Sequence, residues 1–129
     1  MIPIAEHIGP QSMTIGVSGP DGANRLLIYT GVVTFTFKGT GSTWRHDRIE
    51  FEVGPVFSAG QVRDRTAIAS LNSIHNDETA KNAGWAVNWV TTSWNSSGGR
   101  VKVVAEISVR DIDGFVTRMG YQVSILAQL

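Results

Sequence analysis

VKVVAEISVRDIDGFVTRMGYQVSILA, residues 101–127, is the stretch whose reading decides the fold. Val101, Val103, Ala105, Ile107 and Val109 hold the odd positions, with Lys102, Glu106, Ser108 and Arg110 between them. A side-chain period of two belongs to a strand buried on one face. Beyond Asp111-Ile112-Asp113-Gly114, the residues Phe115, Met119, Tyr121, Val123, Ile125 and Ala127 resume on odd positions, alternating with Arg118, Gln122 and Ser124.

The two runs read as an antiparallel hairpin. Paired residues must face the same way, so partner numbers sum to an even number. A three-residue loop, Ile112-Asp113-Gly114, with Gly114 in the left-handed position of a bulge, meets that condition. The expected register sets Val109 opposite Thr117, Ile107 opposite Met119 and Ala105 opposite Tyr121, with Glu106 between Arg118 and Gln122 on the outer face.

Working outward, Gly, Ser, Asn and Asp recur between apolar segments at intervals typical of an all-β chain. Strands are predicted near 11–17, 25–38, 47–53, 65–75, 85–94, 101–110 and 115–127. Ile49, Phe51 and Val53 alternate with Arg48, Glu50 and Glu52, and Leu27, Tyr29, Val33, Phe35 and Phe37 alternate with Thr30, Thr34, Thr36 and Lys38. Gly31 interrupts the second series and marks a bulge or bend. A single helical turn is conceivable at residues 76–82, where Asn76 is a fair cap. About seven strands without helical crossovers predict an all-β fold, one antiparallel β-sandwich or jelly roll over residues 1–129.

The chain has no cysteine, which excludes disulfides, thiolate nucleophiles and cysteine-ligated metal centres. Eleven basic and eleven acidic side chains cancel, without long runs of either sign, so no nucleic-acid partner is expected. No window approaches the roughly 20 apolar residues of a membrane helix, and residues 1–7 lack the basic and apolar regions of a signal peptide. The expectation is a soluble chain with no membrane span.

Catalytic templates are missing. Residues 39–44, GTGSTW, lack the third glycine of a dinucleotide loop and the Gly-Lys-Ser/Thr of a phosphate loop, and there is no Gly-x-Ser-x-Gly elbow. Glu50 and Glu52 share a face at a spacing compatible with glycoside hydrolysis, but alternating charge on a wet strand face explains them as well. Asp111, Asp113 and Gly114 resemble part of a calcium loop, yet calcium takes about 6 to 8 oxygens, and a turn accounts for all three residues. His7, His46 and His75 show no zinc spacing. No metal or cofactor is expected. Asn95-Ser96-Ser97 fits the N-glycosylation triplet, which means little without a secretory signal.

Two groups point to binding. Trp44, Arg45, His46 and Asp47 form the richest cluster of stacking and hydrogen-bonding groups in the chain, suited to the apolar face and hydroxyls of a sugar. By simple alternation Trp85, Val87 and Trp89 share one face of their strand, and Ala86, Asn88, Val90 and Trp94 the other. Both faces cannot be buried in a lone sandwich, so Trp85, Trp89 and Trp94 are candidate interface residues.

The stretch Val-Lys-Val-Val-Ala at 101–105, leading through Ser108-Val109 to Gly114-Phe115, resembles the H-type lectins. That resemblance implies a small six-stranded sandwich binding galactose-like sugars as a trimer. It ends at Phe115, because the chain closes sooner and lacks the family's final aromatic strand, and no residue roles follow from it. The expected function is a carbohydrate-binding, lectin-like module, non-catalytic and multivalent as a homo-oligomer. The alternative is a structural or assembly protein of a virion, tail or shell, joined through aromatic strand faces.

Overall fold

The computed structural model describes residues 1–19, 22–39, 42–75, 83–111 and 115–128. Seven strands are present: β1 (Glu6–Gly19), β2 (Gly22–Phe37), β3 (Arg45–Val53), β4 (Val62–His75), β5 (Gly84–Trp94), β6 (Val101–Arg110) and β7 (Phe115–Ala127). They form two antiparallel sheets, β1-β2-β7-β4 and β3-β6-β5, and no helix occurs among the described residues. The helical turn expected at 76–82 and the bulge expected at Gly114 lie outside the described residues.

The odd-position rule places most of the core, and fails at Val116, a buried even position where the β2–β7 register shifts between Thr34 and Phe37. Val33, Phe35 and Phe37 of β2, Ile49, Phe51 and Val53 of β3, the odd positions of β6 and Met119, Tyr121, Val123 and Ile125 of β7 are all buried between the sheets. Ile2 and Phe57, from the flanking segments, close its ends.

The expected β6–β7 hairpin is wrong. β6 pairs with β3 and β5, whereas β7 pairs with β2 and β4, so the chain crosses from one sheet to the other between Arg110 and Phe115. Val109 lies opposite Arg45 and Trp85, and Ala105 opposite Ile49 and Val90. Met119 lies opposite Val33 and Leu71, and Tyr121 opposite Gly31 and Ala69. Glu106 sits between Arg48 and Trp89 instead of near Arg118 and Gln122. Strands in facing sheets aim their inner residues at one core just as hairpin partners do, so parity alone does not separate the two arrangements. Asp111, at the crossing, is left-handed (φ 46°), a conformation that Asp tolerates better than most residues.

Of the irregularities in the ladders, those in β1 and β5 bear on the edge strand and on the tryptophans. β1 begins five residues earlier than expected, because the Gly9-Pro10 pair is carried within the strand as a bulge between Ile8 and Gln11. Proline is accommodated there since β1 is an edge strand. Gly31, across from that bulge, serves close approach: a Cβ on it would lie 2.5 Å from the Tyr121 hydroxyl and 2.9 Å from the Ile8 carbonyl oxygen. In β5 a second bulge between Val87 and Trp89 reverses the alternation. Trp85, Val87, Val90 and Trp94 therefore lie on the inner side, opposite Val109, Ile107, Ala105 and Val101, while Ala86 and Trp89 lie on the outer side. The grouping of Trp85 with Trp89, and of Trp94 with Ala86, is thus corrected by one extra residue.

The outer faces differ in chemistry. β3 and β6 present His46, Arg48, Glu50 and Glu52 opposite Ser108, Glu106, Val104 and Lys102. The outer side of β1 and β2 pairs Met13 with Ile28, Ile15 with Leu26 and Ile8 with Val32.

Candidate functional site

Trp44 immediately precedes β3, so strand alternation turns Trp44 and His46 to the outer face and Arg45 and Asp47 to the other side. The four-residue cluster expected from the sequence is thereby divided. Trp44 and His46 line a shallow depression of about 260 Å³ with Ala86 and Asn88 of β5 and Ser108 of β6. Trp44 stays 42% exposed, so its indole is available as a wall. It is seated over Gly84, where a Cβ would come within 2.6 Å of the ring, and the Arg110 guanidinium lies 5.1 Å from the indole centroid.

The polar groups form a directed chain. Asn88 Nδ2 donates to Glu106 Oε1 at 2.9 Å, which fixes the amide orientation because a carboxylate only accepts. The same Nδ2 donates to Ser108 Oγ. Ser108, 2% exposed, then has its own proton for His46 Nδ1, 2.5 Å away. That assignment leaves the His46 Nε2–H as a donor. Satisfying a buried hydroxyl from both sides removes the cost of burying it and holds the imidazole in one tautomer and orientation.

Arg45 and Asp47 do other work. Arg45 donates from Nη1 to the Lys38 carbonyl oxygen at 2.7 Å, and its guanidinium covers the Phe37 ring at 4.7 Å, closing one end of the core. Asp47 Oδ1 accepts the Arg48 amide at 2.8 Å and pairs with the terminal ammonium of Met1 at 3.2 Å. The Arg48 amide bond is the largest of the effects holding the Asp47 carboxyl below its ordinary pKa, desolvation opposing it.

Among the tryptophans, Trp85 is 48% exposed. Trp89 lies beneath the Arg48 guanidinium at 5.2 Å, and Trp94 packs against the core with its Nε1–H donated to the Gly99 carbonyl oxygen at 2.9 Å. Glu50 and Glu52 both face outward, opposite Val104 and Lys102, and Glu52 accepts an amide proton from Asn95 at 3.4 Å.

A second polar group lies inside the sandwich. His7 Nε2 accepts the Tyr121 hydroxyl proton at 2.5 Å, and both rings pack with Phe51. Burial, reinforced by the Arg100 charge, lowers the His7 pKa; burial pushes the Tyr121 hydroxyl up to about 12. A neutral imidazole accepting from a protonated phenol is a satisfied core pair. His7 and His46 stand on different sheets, and among the described residues no three His, Cys, Asp or Glu side chains are grouped to hold a metal ion.

A larger depression, about 380 Å³, lies near Gly31 and Gly120, but its lining of Ile8, Gly9, Gln11, Thr30, Val32 and Tyr121 brings few polar side chains together. Convergent polar groups beside an exposed aromatic make the smaller one around Trp44 the candidate site. Sequence reasoning found Trp44 and His46 but missed Ala86, Asn88 and Ser108. The available indication was Ser108, a small polar residue in a strand otherwise rich in valine.

Compared with protein-family models, with curated proteins and with solved structures, the chain matches none of them.

Proposed function

We propose that this chain is a carbohydrate-binding, lectin-like module that binds its ligand without transforming it. The observation that carries the reading is the Trp44 depression, in which an exposed indole stands beside an imidazole aligned through Ser108 and Asn88. A sugar presents an apolar face of C–H groups and a rim of hydroxyls, and this pairing of aromatic wall and oriented planar polar groups matches both. Glu50 and Glu52, the carboxylate pair considered for hydrolysis, are outside the depression and opposite Val104 and Lys102, which supports binding over hydrolysis.

The test is a glycan array followed by calorimetry on the strongest hit. Binding by the wild type that is abolished in Trp44→Ala, with an unchanged circular dichroism spectrum, supports the reading. No glycan bound, or equal binding by Trp44→Ala, overturns it.

The alternative, an assembly module, draws support from a different surface. Ile8, Met13, Ile15 and Val17 are exposed together on β1, and apolar side chains gathered on one strand mark an interaction surface.

A further inference from the structure

The edges of the sandwich are unequally protected. β4 and β5 lie against each other, and β4 opens with Arg63, Asp64 and Arg65. The edge of β3 is met by the Ile2 amide, which donates to the Arg48 carbonyl oxygen at 2.8 Å. β1 is the exception: among the described residues it pairs with β2 alone. Every residue from 11 to 17 is exposed, including Ser12, Thr14 and Gly16 on the inward side. That run, QSMTIGV, has no charge and no proline. Lysines, prolines and inward charges are the usual means of blocking an edge, and residues 11–17 have none of them.

We propose that β1 pairs antiparallel with β1 of a second copy of this chain about a two-fold axis, extending both four-stranded sheets into one. The choice of occupant follows from the strand itself. Two-fold antiparallel pairing keeps like faces together, so Met13, Ile15 and Val17 meet their counterparts on one side and Ser12, Thr14 and Gly16 meet theirs on the other. An edge bearing charge would repel its own copy across such an axis, and residues 11–17 bear none. A foreign strand would need a charge pattern to select it, and this run carries no charge, offering backbone groups, an aliphatic stripe and the neutral side chains of Gln11, Ser12 and Thr14, which a second copy matches as well as any partner. A single-strand interface is smaller than the roughly 1,600 Å² of a standard complex, so the dimer dissociates at about micromolar or higher concentrations.

The proposal stands apart from the glycan reading, since it uses the other sheet. Sedimentation equilibrium from about 1 μM to 1 mM spans the expected range. The expected result is a reversible dimer for the wild type and at least a tenfold weaker one for Ile15→Lys, about the least that like charges brought together at an interface cost. The absence of cysteine gives a second, position-specific readout. Oxidised Thr14→Cys is expected to give a covalent dimer, and Ile68→Cys, 67% exposed on β4, is expected to remain monomeric on denaturing gels. Circular dichroism confirms the fold of each variant. A monomer throughout the range, a dimer indifferent to Ile15→Lys, or trapping at Ile68→Cys equal to that at Thr14→Cys overturns the proposal. So does a monomer that pairs only with a strand of another protein.

Discussion

The two sheets share one core, but β3 and β6 meet water with charged pairs where β1 and β2 meet it with aliphatic ones. On the three-stranded sheet, Arg48 and Glu106, Glu52 and Lys102, and His46 and Ser108 face each other across strands. On the four-stranded sheet, the pairs in β1 and β2 are Met13 with Ile28 and Ile15 with Leu26. An alternating pattern therefore guarantees a buried face without guaranteeing a polar one. Reading Thr30, Thr34 and Thr36 as the outer face of β2 passes over Leu26, Ile28 and Val32, which share it. The proposed ligand depression and the proposed pairing edge fall on different sheets, so each proposal is open to perturbation without the other.

The largest expected effect tests whether the four-stranded sheet is a rigid support. Gly31→Leu forces a side chain into the Tyr121 ring and the Ile8 carbonyl, and is expected to cost about 3 kcal/mol or more in urea unfolding. Next comes a crossed pair of variants. Trp44→Ala is expected to lower glycan affinity more than about tenfold by removing an aromatic anchor, with the sedimentation profile unchanged. Ile15→Lys is expected to do the reverse, leaving calorimetric affinity for a soluble monosaccharide intact while lowering retention on a glycan-coated surface. If either variant moves both readouts, the division between sheets fails.

A smaller effect is expected for Ser108→Ala, which removes the link between Asn88 and His46. Loss of one buried hydroxyl in such a chain costs about 1–2 kcal/mol, to be read as weaker ligand binding together with altered His46 imidazole proton shifts by NMR. The smallest concerns pH. The His7 pKa is lowered in the fold, so the neutral form is favoured there. Its contribution to stability is full above the unfolded value of about 6.5 and declines as pH falls toward the lowered folded value. Thermal unfolding between pH 7 and 5 is expected to show that decline in the wild type and a reduced slope in His7→Gln. Equal slopes would assign the acid sensitivity elsewhere.

Much of the fold was legible because burial on one face imposes a period of two. β6 and β7 begin and end where the alternation does, and every inner residue of β6 is at an expected odd position. Sheet membership was not legible, since parity is the same for a hairpin and for strands in facing sheets. The inserted residues of the β1 and β5 bulges were not legible in their own strands, although Gly31 marked the position across from the first. Gly9-Pro10 stands before the expected start of the first strand at residue 11, and residues 87–89, Val-Asn-Trp, contain no glycine or proline to mark the inserted residue. The site was half legible for the same reason. Trp44 and His46 are neighbours in sequence, but the groups that orient them come from strands brought alongside by tertiary pairing, and Arg45 and Asp47 are sent to the far side by the alternation that reveals the strand.

The stretch at residues 101–127 also governs the order in which the molecule is assembled. β6 lies between β3 and β5, and β7 lies between β2 and β4, so the middle strand of each interior is the last to be synthesised. Until it emerges, β2, β3, β4 and β5 each lack their inner neighbour. At translation rates of about 5–20 residues per second, these residues take a few seconds to appear, during which β2 and β3 are open edges of the kind β1 keeps. Long-range pairing of this sort folds slowly and leaves sticky intermediates. Both sheets are thus completed by insertion of a late strand between earlier ones and not by growth at an edge.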